Sequence, residues 1–143
     1  MRALLDVNVL IALLDANHLH HARAMVWLES HLDAGWSSCP ITQNGCIRIL
    51  SQPAYPNAQP AAAVALRLAE AAAGPAHEFW ADEVSLLDPA CLDWRHVLGA
   101  RQVTDVYLLA LAVRRGGCLV TLDGGIPLKA VAGATPTNLL VLD

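Results

Sequence analysis

The stretch RALLDVNVLIALLD, residues 2–15, decides how the chain is read. "RALL" (2–5) has the character of a short buried strand, and "VLIALLDA" (9–16) is helical in composition. Asp6 stands between them. An ionised carboxylate beside a segment built for burial is costly unless something pairs with it. Asp6 therefore either caps the helix that follows or belongs to a site.

The rest of the chain repeats this alternation of short apolar strands and helices. "HHARAMVWLESHLD" (20–33) places Ala24, Trp27, Leu28 and Leu32 at helix-face spacing, and "GWSSC" (35–39) predicts a second strand. Pro40 sits where a helix starts, and "ITQNGCIRILSQ" (41–52) follows it. "NAQPAAAVALRLAEAAAG" (57–74) is an alanine-rich helix, with Pro60 near its start and Gly74 at its end. "HEFWAD" (77–82) predicts a third strand, and "LDPACLDW" (87–94) a short helix or turn. "VTDVYLLALAVRRGG" (103–117) is the clearest helix. Its Thr104 is the expected N-cap, Val106, Leu109, Ala110 and Val113 its expected apolar face, and Gly116 its stop. "CLVTLD" (118–123) and "NLLVLD" (138–143) complete the strands. This order predicts an α/β fold on a parallel sheet, in a single domain spanning residues 1–143.

Composition narrows the function. Hydrophobic residues are 55% of the chain, enough for a substantial core with apolar surface left over, which predicts a homodimer through the early helices. The formal net charge of −4 lacks the basic footprint of a protein that binds long nucleic acid. Action on nucleic acid would need a local patch, a metal ion or a partner's charge. Cys39, Cys46, Cys91 and Cys118 form no C-x-x-C pair and read as small hydrophobes in a reducing cytosol. Asp6, Asn8 and Asp15 interrupt the first apolar run, so it is not expected to be a signal peptide, and no membrane span is expected elsewhere.

In open parallel sheets, ligands bind beyond the carboxyl ends of the strands. Asp6 follows the first strand, Asp123 follows "CLVTL", and Asp105 lies in the first turn of the helix between 103 and 117. Converging carboxylates raise one another's pKa unless a cation lies between them. Hard oxygen ligands suit Mg²⁺ or Mn²⁺, and such an ion supports phosphodiester hydrolysis. Read one at a time, Asp105 also fits a helix-capping acid, Asp123 a turn residue before two glycines, and Asp6 a cap. His18, His20 and His21 lack the i, i+4 spacing of helical metal ligands. The four tryptophans, Trp27, Trp36, Trp80 and Trp94, read as core or dimer contacts.

"LLDVNVLIALL", "ITQNGCIRIL", "RQVTDVYLLALAVRRGG" and "LVTLDGGI" resemble, in order and spacing, the motifs of PIN-domain ribonucleases. The similarity is to the VapC-type toxins of toxin–antitoxin pairs and covers roughly residues 2 to 142. The resemblance implies a three-layer α/β/α domain with a mostly parallel sheet of four to five strands. It implies a cytoplasmic, Mg²⁺- or Mn²⁺-dependent endoribonuclease that cuts structured RNA such as tRNA and is held by a cognate antitoxin. Its acids map to Asp6, Asp105 and Asp123, which would hold the metal. Its remaining acidic position falls on Gln43, a neutral amide that can offer a carbonyl oxygen but cannot act as a base. Asn8, Thr121 and Thr104 are candidates to orient the acids or the phosphate, and Arg48 to face an RNA phosphate or an antitoxin carboxylate. A catalytically weakened module that binds RNA or a partner is the alternative that Gln43 raises. A phosphatase that also carries Asp after its first strand fits less well, because it wants a second Asp where Asn8 stands.

Overall fold

The computed structural model describes all of residues 1–143. Five short strands form one sheet: β1 (Ala3–Leu5), β2 (Trp36–Ser38), β3 (His77–Phe79), β4 (Cys118–Thr121) and β5 (Leu139–Val141). Their order is β3-β2-β1-β4-β5 and every pairing is parallel. Five helices connect them: α1 (Val7–Leu14), α2 (His21–Ser30), α3 (Pro40–Leu50), α4 (Ala61–Ala71) and α5 (Gln102–Arg114). The α/β/α expectation and the five-stranded parallel sheet are both met. No helix is long and apolar enough to cross a membrane.

Side-chain alternation divides the core into two layers. Ala3, Leu5, Trp36 and Val120 pack on one face with Val9, Leu10 and Ile11 of α1, Cys46 and Leu50 of α3, and Val64 and Leu68 of α4. Leu4 and Leu119 pack on the other face, against α5. The three inner strands, β2, β1 and β4, are covered on both faces, whereas the edge strands β3 and β5 stay partly exposed.

α5 departs from the expected one-sided helix. Val106 through Ala112 are all buried. The sheet covers one side of this helix. Trp80, Val84, Leu92, Ile126, Ala130 and Val131 cover the other. The segment between β3 and α5 and the loop after β4 together act as a third cover. Residues 87–94 form turns, a single antiparallel bridge from Leu92 to Val131 and the start of a 3-10 turn at Trp94–His96, where a short helix was one of the expectations. Trp36 and Trp80 are core residues, but Trp94 is 43% exposed, so the core reading fails for it.

The first turn of α5 also corrects a detail. The cap residue is Arg101 and the helix begins at Gln102, so Thr104 lies inside the first turn and caps nothing. Gln102 ties this end down. Its Oε1 accepts from the Leu98 N–H at 2.7 Å, and its Nε2 donates to the Gly125 carbonyl at 3.0 Å. At the other end Gly116 takes φ +65°, the left-handed geometry that closes a helix.

Candidate active site

The carboxyl edge of the sheet carries the acids. The Asp6 N–H donates to the Val120 carbonyl at 2.9 Å, which extends the β1–β4 ladder by one residue. The chain then turns into α1 with Asp6 as its N-cap, and Asp6 Oδ1 accepts from the Val7 N–H at 2.7 Å. Asp6 thus caps α1 and lines the cavity at this edge of the sheet. It is only 5% exposed.

Thr121, at the end of β4 and wholly buried, completes its surroundings. Its Oγ1 accepts from Asn8 Nδ2 at 3.3 Å and from the Asp123 N–H at 3.0 Å. Both lone pairs are then used, so its single proton goes to Asp6 Oδ2, 2.7 Å away. Asn8 Oδ1 accepts from the Leu122 N–H at 3.2 Å, which pins the β4 exit to the first turn of α1. Asp123 Oδ1 accepts from the Gly125 N–H at 3.1 Å, leaving its other oxygen at the surface.

These neighbours decide the charge states. Burial pushes the Asp6 carboxyl above its ordinary range, against the opposing hydrogen bonds from Thr121 and Val7, and the Asp123 charge pushes it further. Asp105, half-buried, is pushed up to about 6 by burial, then by the charges of Asp6 and Asp123. Two carboxyls raised by burial and by neighbouring acids are short of a positive partner. All donors are hard oxygens, the set preferred by Mg²⁺ and Mn²⁺. No three Asp, Glu, His or Cys side chains form a ready-made cage.

Asp6 and Asp105 open onto a cavity of about 710 Å³ whose polar lining also includes Asn8, Asn44, Arg48, Asp82 and Thr104. Asp123 lies outside that lining and acts through its charge on the other two. Gln43 is not there either. It points toward β2, where its Nε2 donates to Ser38 Oγ at 3.0 Å, and Ser38 Oγ lies 2.8 Å from His77 Nε2. The stripe of α3 that meets the cavity is Ile41, Asn44, Gly45, Arg48 and Ile49, the i, i+3, i+4, i+7, i+8 pattern of one helix face. Gln43 is off that stripe by one residue.

Two cavity residues escaped the sequence reading. Asn44 was readable from helical phase once Arg48 was on the same face. Asp82 was readable by the rule that found Asp6 and Asp123, an acid just past a parallel strand, but β3 ends at Phe79 and not at Asp82.

The family model for the PIN domain matches residues 3–133. Ribonuclease VapC44 of Mycobacterium tuberculosis is 50% identical over 142 residues, covering 99% of this chain and 100% of that protein. Ribonuclease VapC38 of the same organism is 42% identical over 142 residues, covering 98% and 99%. VapBC2 from Rickettsia felis, solved with a DNA fragment from its promoter, aligns over 100% of both chains with a TM-score of 0.65 at 13% identity. VapC20 of Mycobacterium tuberculosis, a toxin that cleaves the sarcin–ricin loop, has a TM-score of 0.60 at 13% identity, covering 86% of this chain and 91% of that one. These two share the fold. With the family model spanning most of the chain and full-length relatives at half identity, the chain belongs to the PIN-domain family, on its VapC branch.

Proposed function

We propose that this protein is a metal-dependent endoribonuclease, the toxin of a toxin–antitoxin pair, that hydrolyses phosphodiester bonds in tRNA or another structured RNA of the cytoplasm. The observation that carries the reading is the pair of raised carboxyls, Asp6 and Asp105, beside one polar cavity, in a chain half identical to a ribonuclease. Asp6 and Asp105 would hold one Mg²⁺ or Mn²⁺, with Asp123 joined directly or through water. The ion, when bound, supplies a Lewis acid for the phosphoryl oxygens and lowers the pKa of the attacking water. Thr121 and Val7 hold the two oxygens of Asp6 in fixed directions. One of the three acids would accept the proton that leaves the water. Asn8 fixes the Asp123 turn from below through Thr121 and Leu122. Gln43 takes no part in the chemistry in this reading, and Thr104 hydrogen-bonds substrate at the cavity wall.

The antitoxin is proposed to lie in an apolar groove of about 770 Å³ between α1, α2 and α4, lined by Leu10, Leu13, Leu14, Met25, Leu28, Trp36 and Leu68. An antitoxin arginine reaching the acids would neutralise the charge that the metal otherwise balances. A homodimer is part of the same proposal. The weakened-module alternative keeps one support: the stripe of α3 at the cavity carries no acid, only the amide of Asn44 and the cation of Arg48.

The test is cleavage of total RNA by antitoxin-free protein, with and without Mn²⁺ or Mg²⁺, comparing wild type with Asp6→Asn. Cleavage that requires both metal and Asp6 supports the reading. Absence of any such cleavage, with metal binding intact, favours the non-catalytic module.

A further inference from the structure

The chain carries nine Lys and Arg residues against a net charge of −4. Four of the nine are occupied by the fold. Arg2 donates to the Trp36 and Ala76 carbonyls at 3.0 and 2.8 Å, Arg67 donates to the Leu14 carbonyl, and Arg95 and Arg115 pair with Asp93 and Glu83, each at 2.7 Å. Of the cations left over, Arg48 stands at the carboxylate cavity and Arg101 at the start of α5, whose first turn supplies Thr104 and Asp105 to that cavity. Arg48 lines it from α3, is exposed, and forms no ion pair even with the acids that share the cavity. Arg101 caps α5 one turn before Asp105 and is also exposed and unpaired.

The topology puts these two cations on opposite banks. α3 packs on the sheet face that carries Leu5 and Val120, and α5 on the face that carries Leu4 and Leu119. Asp6 ends the central strand between them. A strand of nucleic acid laid across the carboxyl edge from α3 to α5 therefore passes one guanidinium, then the carboxylates, then the other guanidinium. Guanidinium groups bind phosphate in bidentate geometry, and these two are free to do so. A chain without a general basic surface must localise its phosphate contacts, and these positions do that at the point of cleavage.

We propose that Arg48 and Arg101 are substrate-positioning residues: each binds a backbone phosphate of the RNA on one side of the carboxylate cavity, so that the phosphate between them rests over Asp6 and Asp105. The proposal rests on the ribonuclease reading above. Neither arginine touches the reacting atoms. Their contribution is to binding and register.

The experiment measures anisotropy of fluorescently labelled bulk tRNA titrated with wild type, Arg48→Gln, Arg101→Gln and the double variant, across a series of NaCl concentrations. Ca²⁺ replaces Mg²⁺, and the RNA is checked intact afterwards. Each single variant is expected to bind roughly tenfold more weakly and to lower the slope of log K against log salt by about 0.7, the value for one lost single-strand phosphate contact, with the losses adding in the double variant. Arg48→Lys is expected to restore the salt slope but not the full affinity. In cleavage with Mn²⁺, the Gln variants raise KM and leave kcat within about twofold, the pattern of lost uniform binding. Melting temperatures equal to wild type show that the fold is intact, as expected for side chains with no partner in it. Gln variants with wild-type affinity and salt slope overturn the proposal while leaving the ribonuclease reading in place. So does an Arg48→Gln variant that loses affinity only for a co-expressed antitoxin. Wild-type protein that neither binds nor cuts RNA overturns both.

Discussion

Replacing Thr121 by valine removes one hydroxyl and almost no volume, and it isolates the network that holds Asp6. That hydroxyl is fully buried and makes three hydrogen bonds, to Asp6 Oδ2 at 2.7 Å, from Asn8 Nδ2 at 3.3 Å and from the Asp123 N–H at 3.0 Å. The bond to the carboxylate contributes about 1.5–3 kcal/mol, and each bond to a neutral group about 0.5–1.5 kcal/mol. Asn8 is half-buried and Asp123 exposed, so water recovers part of what they lose. The net cost of Thr121→Val is therefore about 2–4 kcal/mol at neutral pH. The sign of its pH dependence follows from Asp6. Burial raises this carboxyl in the folded state, and the Thr121 bond is the largest influence pulling it back down. Without the hydroxyl the folded pKa rises further. An acid with a raised folded pKa withdraws stability as pH rises through that value, because the folded state then holds the extra proton. The penalty should accordingly be small in acid, where Asp6 is protonated, and grow toward alkaline pH. Urea denaturation of wild type and variant at several pH values measures it directly. A penalty that stays flat with pH, or that remains under about 0.5 kcal/mol throughout, would show that the hydroxyl does not support the Asp6 charge.

Other positions give independent tests. Asp105, pushed up to about 6, costs the metal-free protein stability as pH climbs from its unfolded value of 3.8 through that range. Asp105→Asn should flatten this decline and abolish the rise in melting temperature that Mn²⁺ gives wild type at pH about 8, both read by thermal shift. Gly45 lies against Val7, and a Cβ there would come within 2.7 Å of Val7 Cγ2. Gly45→Ala should cost about 1–3 kcal/mol in chemical denaturation by forcing α3 from α1, and lower RNA cleavage by moving Arg48 away from Asp6. Gln43→Glu should not strengthen Mn²⁺ binding by calorimetry, because residue 43 faces Ser38 and not the cavity, whereas Asn44→Asp should strengthen it. A gain from Gln43→Glu would contradict the helical phase described above.

Much of the fold is legible in the chain. Short strands that alternate with helices must be joined by crossovers over the sheet, so "RALL", "GWSSC", "CLVTLD" and "NLLVLD", each followed or preceded by a helical segment, announce a parallel α/β sheet without any long-range information. The acids follow from the same logic, since a parallel sheet gathers the residues after each strand at one edge. Asp6 and Asp123 were readable on that ground, and Asp105 from its place in the first turn of α5.

What the chain alone did not decide was orientation about an axis and coverage from a distance. Residue 43 and residue 44 are both polar and adjacent, yet they differ by about 100° around α3, and only the packing of Gly45 on Val7 selects which one meets the cavity. α5 reads as amphipathic locally, but it is buried all round because two distant stretches with little regular structure, the one from Trp80 to Leu92 and the one from Ile126 to Val131, fold over its outer side. Thr104 reads as a cap by its type, but Gln102, held between Leu98 and Gly125, starts the helix earlier. The charge state of the acids belongs to the tertiary structure as well. A carboxyl is raised by lost water and by other carboxylates, and the sequence of Asp6, Asp105 and Asp123 contains neither until the sheet brings them together.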